Sequence, residues 1–392
     1  MTTVAPFLGF EVGEDIDDLV DGISDLCRAF PDEYWAQHDA ESAYPQAFVD
    51  AVAEGGWLGL TVPEEYGGGG LSYVAGAAVL RAIASSGAGL NGCIPVHMSM
   101  FAAAPLVEHG SDVMKKTFLP RIVSGASTLC FMVSEPDTGS DTSRLRTRAT
   151  ASSAGWLGSG QKIWITQALE ADLGVLLVRT RESAGRFDGM SLFLVDMASP
   201  AISVRSIPKL PHNALRSCEV FIEDLVIPAD RLIGQEGQGF PHVLRGLNSE
   251  RVLMAAEMVG IGEVALRHAV QYAGEREVFG RPIGANQAIS HPLARAEAML
   301  NGAWLSVLQA ASTLDRGQSA GAAANRAKYL AAEACWVATD AAMQTYGGMG
   351  FAKEAHVERY FREARLLRVA PVSQEMALNY LAQKVLQLPR SY

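Results

Sequence analysis

The chain has 392 residues, 49% hydrophobic and 19% charged, the composition of an ordinary globular protein long enough for two or three domains. Its formal net charge of −11 argues against nucleic-acid binding, and no basic amphipathic run indicates a membrane surface. Because the five cysteines lack disulfide or metal-site spacing, and neither a signal peptide nor an apolar run of about 18 residues is evident, we expect a reduced, cytoplasmic protein without metal or membrane insertion.

The first part of the chain has a helical pattern. Between residues 15 and 124 apolar side chains recur at helical spacing, for example Phe48, Val49, Val52 and Trp57. The glycine run in residues 63–70 is not followed by Gly-Lys-Ser/Thr, so it predicts a connector between helices and not a phosphate-binding loop.

The middle of the chain has a strand pattern. Between residues 129 and 239, short runs of Val, Ile, Leu and Phe alternate with turn residues, and the predicted strands are 174–178, 190–195, 202–207 and 218–222. This pattern predicts a compact β-domain.

The last part is helical again, in four segments at 243–272, 287–314, 322–346 and 373–388. The predicted fold class is therefore mainly α with a central β-domain, with domains at 1–128, 129–240 and 241–392. The alanine-rich segment 322–338 allows close helix packing, which suits a bundle that also contacts other subunits, and we expect a dimer or a tetramer.

Two segments of the β-domain stand out. Residues 131–141 read Phe-Met-Val-Ser-Glu-Pro-Asp-Thr-Gly-Ser-Asp, and residues 161–166 read Gln-Lys-Ile-Trp-Ile-Thr. Hydroxyls, a proline, a glycine and an aromatic plane are typical of loops that wrap a flat, partly anionic ligand. Together the two segments resemble the paired flavin-binding loops of the acyl-CoA dehydrogenase family.

Four further segments strengthen the resemblance. Residues 276–283 with Gln287 resemble the segment that reaches the FAD of a neighbouring subunit, and residues 344–350 resemble its glycine-containing partner. Residues 359–365 resemble the family's basic, aromatic helix, and residues 247–251 resemble the start of its substrate-facing helix. The order of these segments extends the resemblance over nearly the whole chain.

The resemblance implies an N-terminal helical domain, a middle β-barrel-like domain and a C-terminal four-helix bundle, with FAD as cofactor. The FAD-binding residues that it implies are Phe131, Val133, Ser134, Trp164, Ile165, Thr166, Arg276, Phe279, Gln287, Gln344, Gly347, Gly348, Ser373 and Glu375. The substrate-binding residues that it implies are Ser140, Asn248 and Arg251.

The chain departs from the family at the catalytic base. Most members carry a Glu in a Tyr-Glu-Gly-Thr-like turn, but residues 369–375 here read Val-Ala-Pro-Val-Ser-Gln-Glu, and Pro371 stands at the expected position. Neither Pro371 nor its neighbours Ala370 and Val372 can accept a proton. Proline also lacks the N–H that this position normally donates to the thioester carbonyl, so that role would pass to the flavin ribityl hydroxyl or to Val372.

Members of the isovaleryl-CoA dehydrogenase type place the base on a helix, and Glu250 matches that position. A carboxylate close to Cα in an apolar site is the group that this proton abstraction requires, and Gly246 would leave room for an acyl chain beside it. The alternative is that Glu250 is an acid in the first helical turn, or a partner of Arg251 or of a group on the cofactor side. Glu375 is the reserve candidate for the base, and Glu257 is the third.

The implied activity is α,β-dehydrogenation of an acyl-CoA or acyl-carrier thioester, with the α-proton taken by Glu250, hydride passed to flavin N5 and electrons passed to an electron-transfer flavoprotein. Relatives without the loop Glu leave open an enoyl-thioester reductase, a desulfinase or an oxygenase. A noncatalytic acyl-CoA- or flavin-binding protein is the remaining alternative.

Overall fold

A computed structural model describes residues 14–182 and 187–390. Its N-terminal helices are α1 (Glu14–Cys27), α2 (Asp32–Glu41), α3 (Gln46–Glu54), α4 (Tyr73–Ile83), α5 (Gly89–Phe101), α6 (Ala104–His109) and α7 (Asp112–Val123). The hydroxyl of Ser72 caps α4 and that of Ser111 caps α7, each by accepting a backbone N–H. The glycine run predicted to be a connector lies between helices, as expected.

Contrary to the expectation from sequence, one stretch passes the length and composition test for a membrane span. Residues Tyr73–His109, which include α4 and α5, are apolar enough, but 89% of the most apolar window is buried inside the protein. Packing in the protein core therefore accounts for their apolar character.

The β-domain is one sheet. Its strands are β1 (Leu129–Met132), β2 (Arg148–Ser152), β3 (Gly155–Thr166), β4 (Leu173–Arg179), β5 (Met190–Asp196), β6 (Ile202–Ser206), β7 (Ser217–Ile227) and β8 (Leu232–Ile233). They are ordered β6-β7-β3-β2-β4-β5-β8, and β1 pairs with β4. Val175 and Leu177 of β4 pack in the cluster shared with α5 to α7, whereas Leu176 and Val178 pack in the cluster formed by the strands themselves. The sheet is thus buried on both faces, as the apolar run of β4 requires.

The segment 161–166 was expected to be a loop, and this expectation was wrong. It forms the end of β3, where pairing with β7 shifts register between Lys162 and Ile165. Trp164 lies in this irregular part with a φ of 62°, a backbone conformation that residues other than glycine rarely adopt. The bulge lets a strand present a side chain in the way that a loop would.

The C-terminal helices pack as a bundle. They are α8 (Gly239–Glu275), α9 (Gln287–Asp315), α10 (Gly321–Tyr346), α11 (Val357–Leu367) and α12 (Gln374–Tyr380), and a short hairpin, β9 (Glu277–Val278) and β10 (Arg281–Pro282), joins α8 to α9. The predicted helix 373–388 is shorter than expected, since α12 ends at Tyr380 and a π-helical turn follows. The predicted fold class is confirmed, whereas the exact domain boundaries remain our prediction.

The two helical regions share one hydrophobic core. Apolar side chains of α4 and α5 cluster with those of α8, α9, α10 and α11. A polar contact also ties them together: Asp32 of α2 accepts hydrogen bonds from His268 of α8 at 3.1 Å, from Arg359 of α11 at 2.8 Å and from Tyr360. Helix α8 is consequently held on several sides by other helices.

Candidate active site

The two segments predicted to bind the cofactor lie side by side. The backbone N–H of Ile163 donates to the Ser134 carbonyl at 3.0 Å, and Lys162 Nζ donates to the Val133 carbonyl at 3.1 Å. Val133 and Ser134 are half-buried at the end of β1, next to the bulge that carries Trp164. The structure therefore brings together the residues that the sequence placed in two separate motifs.

A buried ion pair underlies this junction. Lys162 Nζ is 2.9 Å from Glu135 Oε1, with side-chain exposures of 0% and 6%. Glu135 also accepts the backbone N–H groups of Arg146 at 2.7 Å and Thr147 at 2.9 Å. Burial alone would raise the pKa of Glu135, but the Lys162 ammonium and these hydrogen bonds outweigh it and lower that pKa.

The indole of Trp164 is 57% exposed, so an apolar plane is available at the junction. A flavin ring system requires such a plane, and the hydroxyl of half-buried Thr166 at the end of β3 can supply a hydrogen bond. The Ile165 side chain, in contrast, is 2% exposed and packs in the core of the sheet, so only its backbone remains available to a cofactor. These residues fit FAD.

An aromatic contact connects the sheet to the helices. The rings of Phe131 on β1 and Phe101 on α5 have centroids 4.7 Å apart, and a Cβ placed on Gly246 of α8 would lie 3.9 Å from Phe101 Cε2. Phe101 thus lies between Phe131, a predicted flavin-binding residue, and the helix that carries Glu250. The space beside Gly246 is limited by an aromatic ring.

Glu250 lies about three turns into α8, so the alternative that it is an acid of the first helical turn is wrong. Its side chain is half-buried, and its Oε2 is enclosed without a hydrogen-bond partner among the residues that the structure describes. Burial, together with the charge of Glu257, raises the pKa of Glu250 to about 7. The positive charges of His97 and Arg251 act in the opposite direction, but they do not outweigh burial. A carboxyl group with this pKa is a stronger base than an ordinary glutamate.

The two predicted substrate residues on α8 contact each other. Arg251 Nη1 donates to the Leu247 carbonyl at 2.9 Å and to Asn248 Oδ1 at 3.0 Å. The Nε of Arg251 is enclosed and has no partner among the described residues. Ser140, the third predicted substrate residue, is exposed in the loop that follows β1.

The loop between α11 and α12 provides no base. Pro371 is half-buried there, and Ser373 caps α12 by accepting the Met376 N–H at 3.3 Å. Glu375 is exposed, and its pKa is lowered by hydrogen bonds from its own backbone N–H and from Ser373. A carboxylate stabilised in this way is a weak base, which reduces the case for Glu375 as the reserve candidate.

The remaining predicted cofactor residues lie at the far end of α8 and on neighbouring segments. They are all exposed: Arg276, Phe279, Gln287, Gln344, Gly347 and Gly348. Gly347 has a φ of 57°, and a Cβ on Gly347 or Gly348 would meet no atom within 4 Å, so the backbone there is open to a ligand. Glu250 and Arg276 are separated by about 39 Å of helix, so these groups do not form one site within a single chain.

Sequence reasoning missed one buried pair. His97 of α5 and Glu257 of α8 are 2.8 Å apart and almost fully buried, although the two residues are 160 positions apart in the chain. No local motif could have indicated this contact.

The α–β–α architecture and the paired segments around Trp164 define a flavoprotein that acts on acyl thioesters. Profiles of a single family match the chain in three parts: "Acyl-CoA dehydrogenase, N-terminal domain" at residues 13–126, "middle domain" at 130–225 and "C-terminal domain" at 237–386.

Relatives and solved structures agree. The acyl-CoA dehydrogenase fadE12 of Mycobacterium bovis is 39% identical over 86% of this chain and 87% of its own length. The human short-chain specific acyl-CoA dehydrogenase is 33% identical over 93% of this chain and 89% of its own length. The butyryl-CoA dehydrogenase structure from Megasphaera elsdenii matches with a TM-score of 0.92 and 26% identity, over 97% of this chain and 100% of that chain.

A further similar chain comes from a structure described as an electron transferring flavoprotein of Acidaminococcus fermentans, with a TM-score of 0.90 and 27% identity over 97% of this chain and 100% of that chain.

The chain of 392 residues belongs to the acyl-CoA dehydrogenase family and is an oxidoreductase of that class. Family members are FAD-binding flavoproteins, and FAD is the cofactor of this chain.

Proposed function

We propose that this enzyme removes the α-proton of an acyl-CoA thioester with Glu250 as the base. The observation that carries the proposal is the position of this carboxyl group: Glu250 Oε2 is enclosed and unpartnered among the described residues, and its pKa is raised to about 7. An enclosed carboxylate without hydrogen bonds retains its basicity for the substrate. The FAD, when bound, supplies the hydride acceptor for Cβ.

Other residues of the chain position the thioester. Asn248 and Arg251 lie on the same helix as Glu250, and their mutual hydrogen bond fixes the guanidinium along the helix. Ser140 offers an exposed hydroxyl from the β-domain side. Phe101 and Phe131 form an apolar wall next to Gly246, which supports a compact acyl group and not a long one.

The proposal also includes an electron acceptor and an oligomeric state. Electrons leave the reduced enzyme for an electron-transfer flavoprotein, as supported by the family and by the similarity to a chain from an electron transferring flavoprotein structure. Arg276, Phe279, Gln287, Gln344, Gly347 and Gly348 contact the FAD of a neighbouring subunit in a homodimer or homotetramer. The high exposure of Phe279, 99%, supports such a contact.

The test is anaerobic mixing of the FAD-loaded enzyme with a panel of saturated acyl-CoAs while flavin absorbance is followed. Glu250→Gln should retain FAD but lose reduction of the flavin by substrate, by at least about 100-fold. The matched control is Glu275→Gln, an exposed glutamate at the end of the same helix, which should behave like the wild type.

The comparison with Glu375→Gln decides between the two candidate bases. Full flavin reduction in Glu250→Gln together with its loss in Glu375→Gln would transfer the role to Glu375. The enoyl-thioester reductase alternative predicts a different result. In that case the reduced enzyme would react with unsaturated acyl-CoA, and the oxidised enzyme would react with no saturated acyl-CoA.

A further inference from the structure

His97 and Glu257 form a buried titratable pair to which the proposed reaction assigns no role. His97 Nδ1 lies 2.8 Å from Glu257 Oε1, with side-chain exposures of 2% and 0%. A buried ion pair is costly to desolvate, and apolar side chains of similar size commonly replace such pairs without loss of stability. Packing alone therefore does not account for it.

The pair lies directly along the helices from the proposed base. Glu257 follows Glu250 by about two turns of α8 and so lies on the same face of that helix. His97 precedes Phe101 by one turn of α5, and their ring centroids are 5.7 Å apart. Because Phe101 faces Gly246 and contacts Phe131, His97 lies behind the aromatic wall of the proposed acyl site.

The charged groups that act most strongly on Glu250 lie on two helices. Helix α8 contributes Arg251 and Glu257, and α5 contributes His97, whose positive charge favours the ionised form of Glu250. Cys93, one turn before His97, donates its thiol to the Leu80 carbonyl and remains uncharged because burial raises its pKa. On α4, Arg81 is engaged in an ion pair with Glu263.

The protonation of His97 depends in turn on Glu257. Burial would lower the pKa of His97, but the Glu257 carboxylate, through its charge and hydrogen bond, reverses the direction and raises it. Glu257 Oε2 has no partner among the described residues, so the imidazolium is the group that balances this carboxylate.

We propose that His97, held by Glu257, is a positioning residue that keeps the carboxyl group of Glu250 ionised for abstraction of the α-proton. This inference rests on the proposed function of Glu250. His97 does not touch the reacting atoms but supplies a fixed positive charge behind the base, where solvent cannot screen it.

The first test is the pH dependence of flavin reduction by an acyl-CoA in the FAD-loaded enzyme. In His97→Gln the decline in rate at low pH should move to higher pH by about one unit. On the acidic side this shift corresponds to a rate about tenfold lower than that of the wild type. At high pH the two rates should agree within about twofold. Glu257→Gln should move the decline in the same direction by less, because the imidazole then loses its proton.

The second test does not depend on turnover. Infrared titration of the FAD-loaded enzyme without substrate records the carbonyl stretch of protonated carboxyl groups, and the band that disappears in Glu250→Gln belongs to Glu250. In His97→Gln this band should persist to higher pH than in the wild type. If no acyl-CoA reduces the flavin of the wild type, the proposed function is wrong. The infrared titration would then still test whether His97 favours the ionised form of Glu250.

Two variants control for structural damage. His212 is a second buried histidine, located between β6 and β7, and His212→Gln should leave both the rate profile and the infrared titration unchanged. The double variant His97→Gln/Glu257→Gln leaves no unpaired buried charge, so it tests the proposal even where a single variant fails to fold. An unchanged acidic decline and an unchanged Glu250 band in the folded double variant would overturn the proposal.

Discussion

Lys162 and Glu135 form a buried ion pair that joins the two segments of the β-domain that are predicted to bind the cofactor. Lys162 also donates to the Val133 carbonyl, and Glu135 also accepts the backbone N–H groups of Arg146 and Thr147, the two residues before β2. One pair of charges thus fixes three stretches of backbone around Trp164.

Removal of one partner should damage both the fold and the cofactor site. Lys162→Met leaves Glu135 charged and buried, and we expect the free energy of unfolding to fall by about 3 to 5 kcal/mol. The ratio of flavin to protein after purification should fall as well, because the Val133 carbonyl loses its donor. Chemical denaturation and flavin absorbance measure the two effects.

A double variant separates charge from position. Lys162→Met/Glu135→Gln removes the unpaired carboxylate and should recover part of the stability but not the full flavin content. Equal flavin content in the wild type and Lys162→Met would show that the pair does not organise the cofactor site.

Glu250 should lower the stability of the enzyme at alkaline pH. Its pKa is raised to about 7 in the folded chain from an ordinary value of 4.5, so the folded state binds more protons than the unfolded state between these values. Stability from this group is present below pH 4.5 and is lost as the pH rises through 7. Glu250→Gln should therefore be more stable than the wild type by about 1 to 3 kcal/mol at pH 8, and nearly equal to it at pH 4.

The measurement is thermal or urea unfolding of the two proteins across this pH range. Glu363 also has a raised pKa, but it is present in both proteins and cancels in the difference. A stability difference that does not vary with pH would argue against a buried, titrating Glu250.

Asp32 should have the opposite dependence on pH. Burial alone would raise its pKa, but hydrogen bonds from His268 and Tyr360 and the charge of Arg359 hold the pKa of Asp32 well below its usual range. A depressed pKa in the folded chain means that stability is present above the unfolded pKa of about 3.9 and is lost as the pH falls below it. Asp32→Asn should cost about 2 to 4 kcal/mol at pH 7 and at least about 1 kcal/mol less at pH 3.

Urea unfolding at the two pH values measures the change. Asp25→Asn is a suitable control, because Asp25 pairs with Arg28 on the surface, where ion pairs contribute little. A constant cost of Asp32→Asn at both pH values would contradict the assignment of an ionised Asp32 at the centre of this contact.

Phe279 should be required for assembly and FAD retention. It lies on the tip of the hairpin after α8, is 99% exposed and has a φ of 54°. Phe279→Ser removes apolar surface that would be buried in an oligomer, so the average mass in light scattering and the flavin content should both fall. Val113→Ser, at an exposed position on α7, should change neither.

The sequence could predict the three-part architecture because helical and strand periods differ and each is maintained over long segments. It also placed Trp164, Val133 and Ser134 together through the family resemblance. It could not show that residues 161–166 are a strand, because the bulge at Trp164 breaks the alternation that identifies one. It could not show the His97–Glu257 contact, since a pair formed by two packed helices has no local signature.

Helix α8 acts as a rigid spacer between two half-sites. The proposed base near its beginning and Arg276 just beyond its end, which we propose contacts FAD, are about 39 Å apart, too far for one FAD molecule to touch both. In an assembly of the proposed kind, each catalytic centre is then composite, with Glu250 from one chain and Arg276 from the next. Two inactive variants, Glu250→Gln and Arg276→Ala, should complement each other when coexpressed, because mixed oligomers rebuild one intact centre from the undamaged halves.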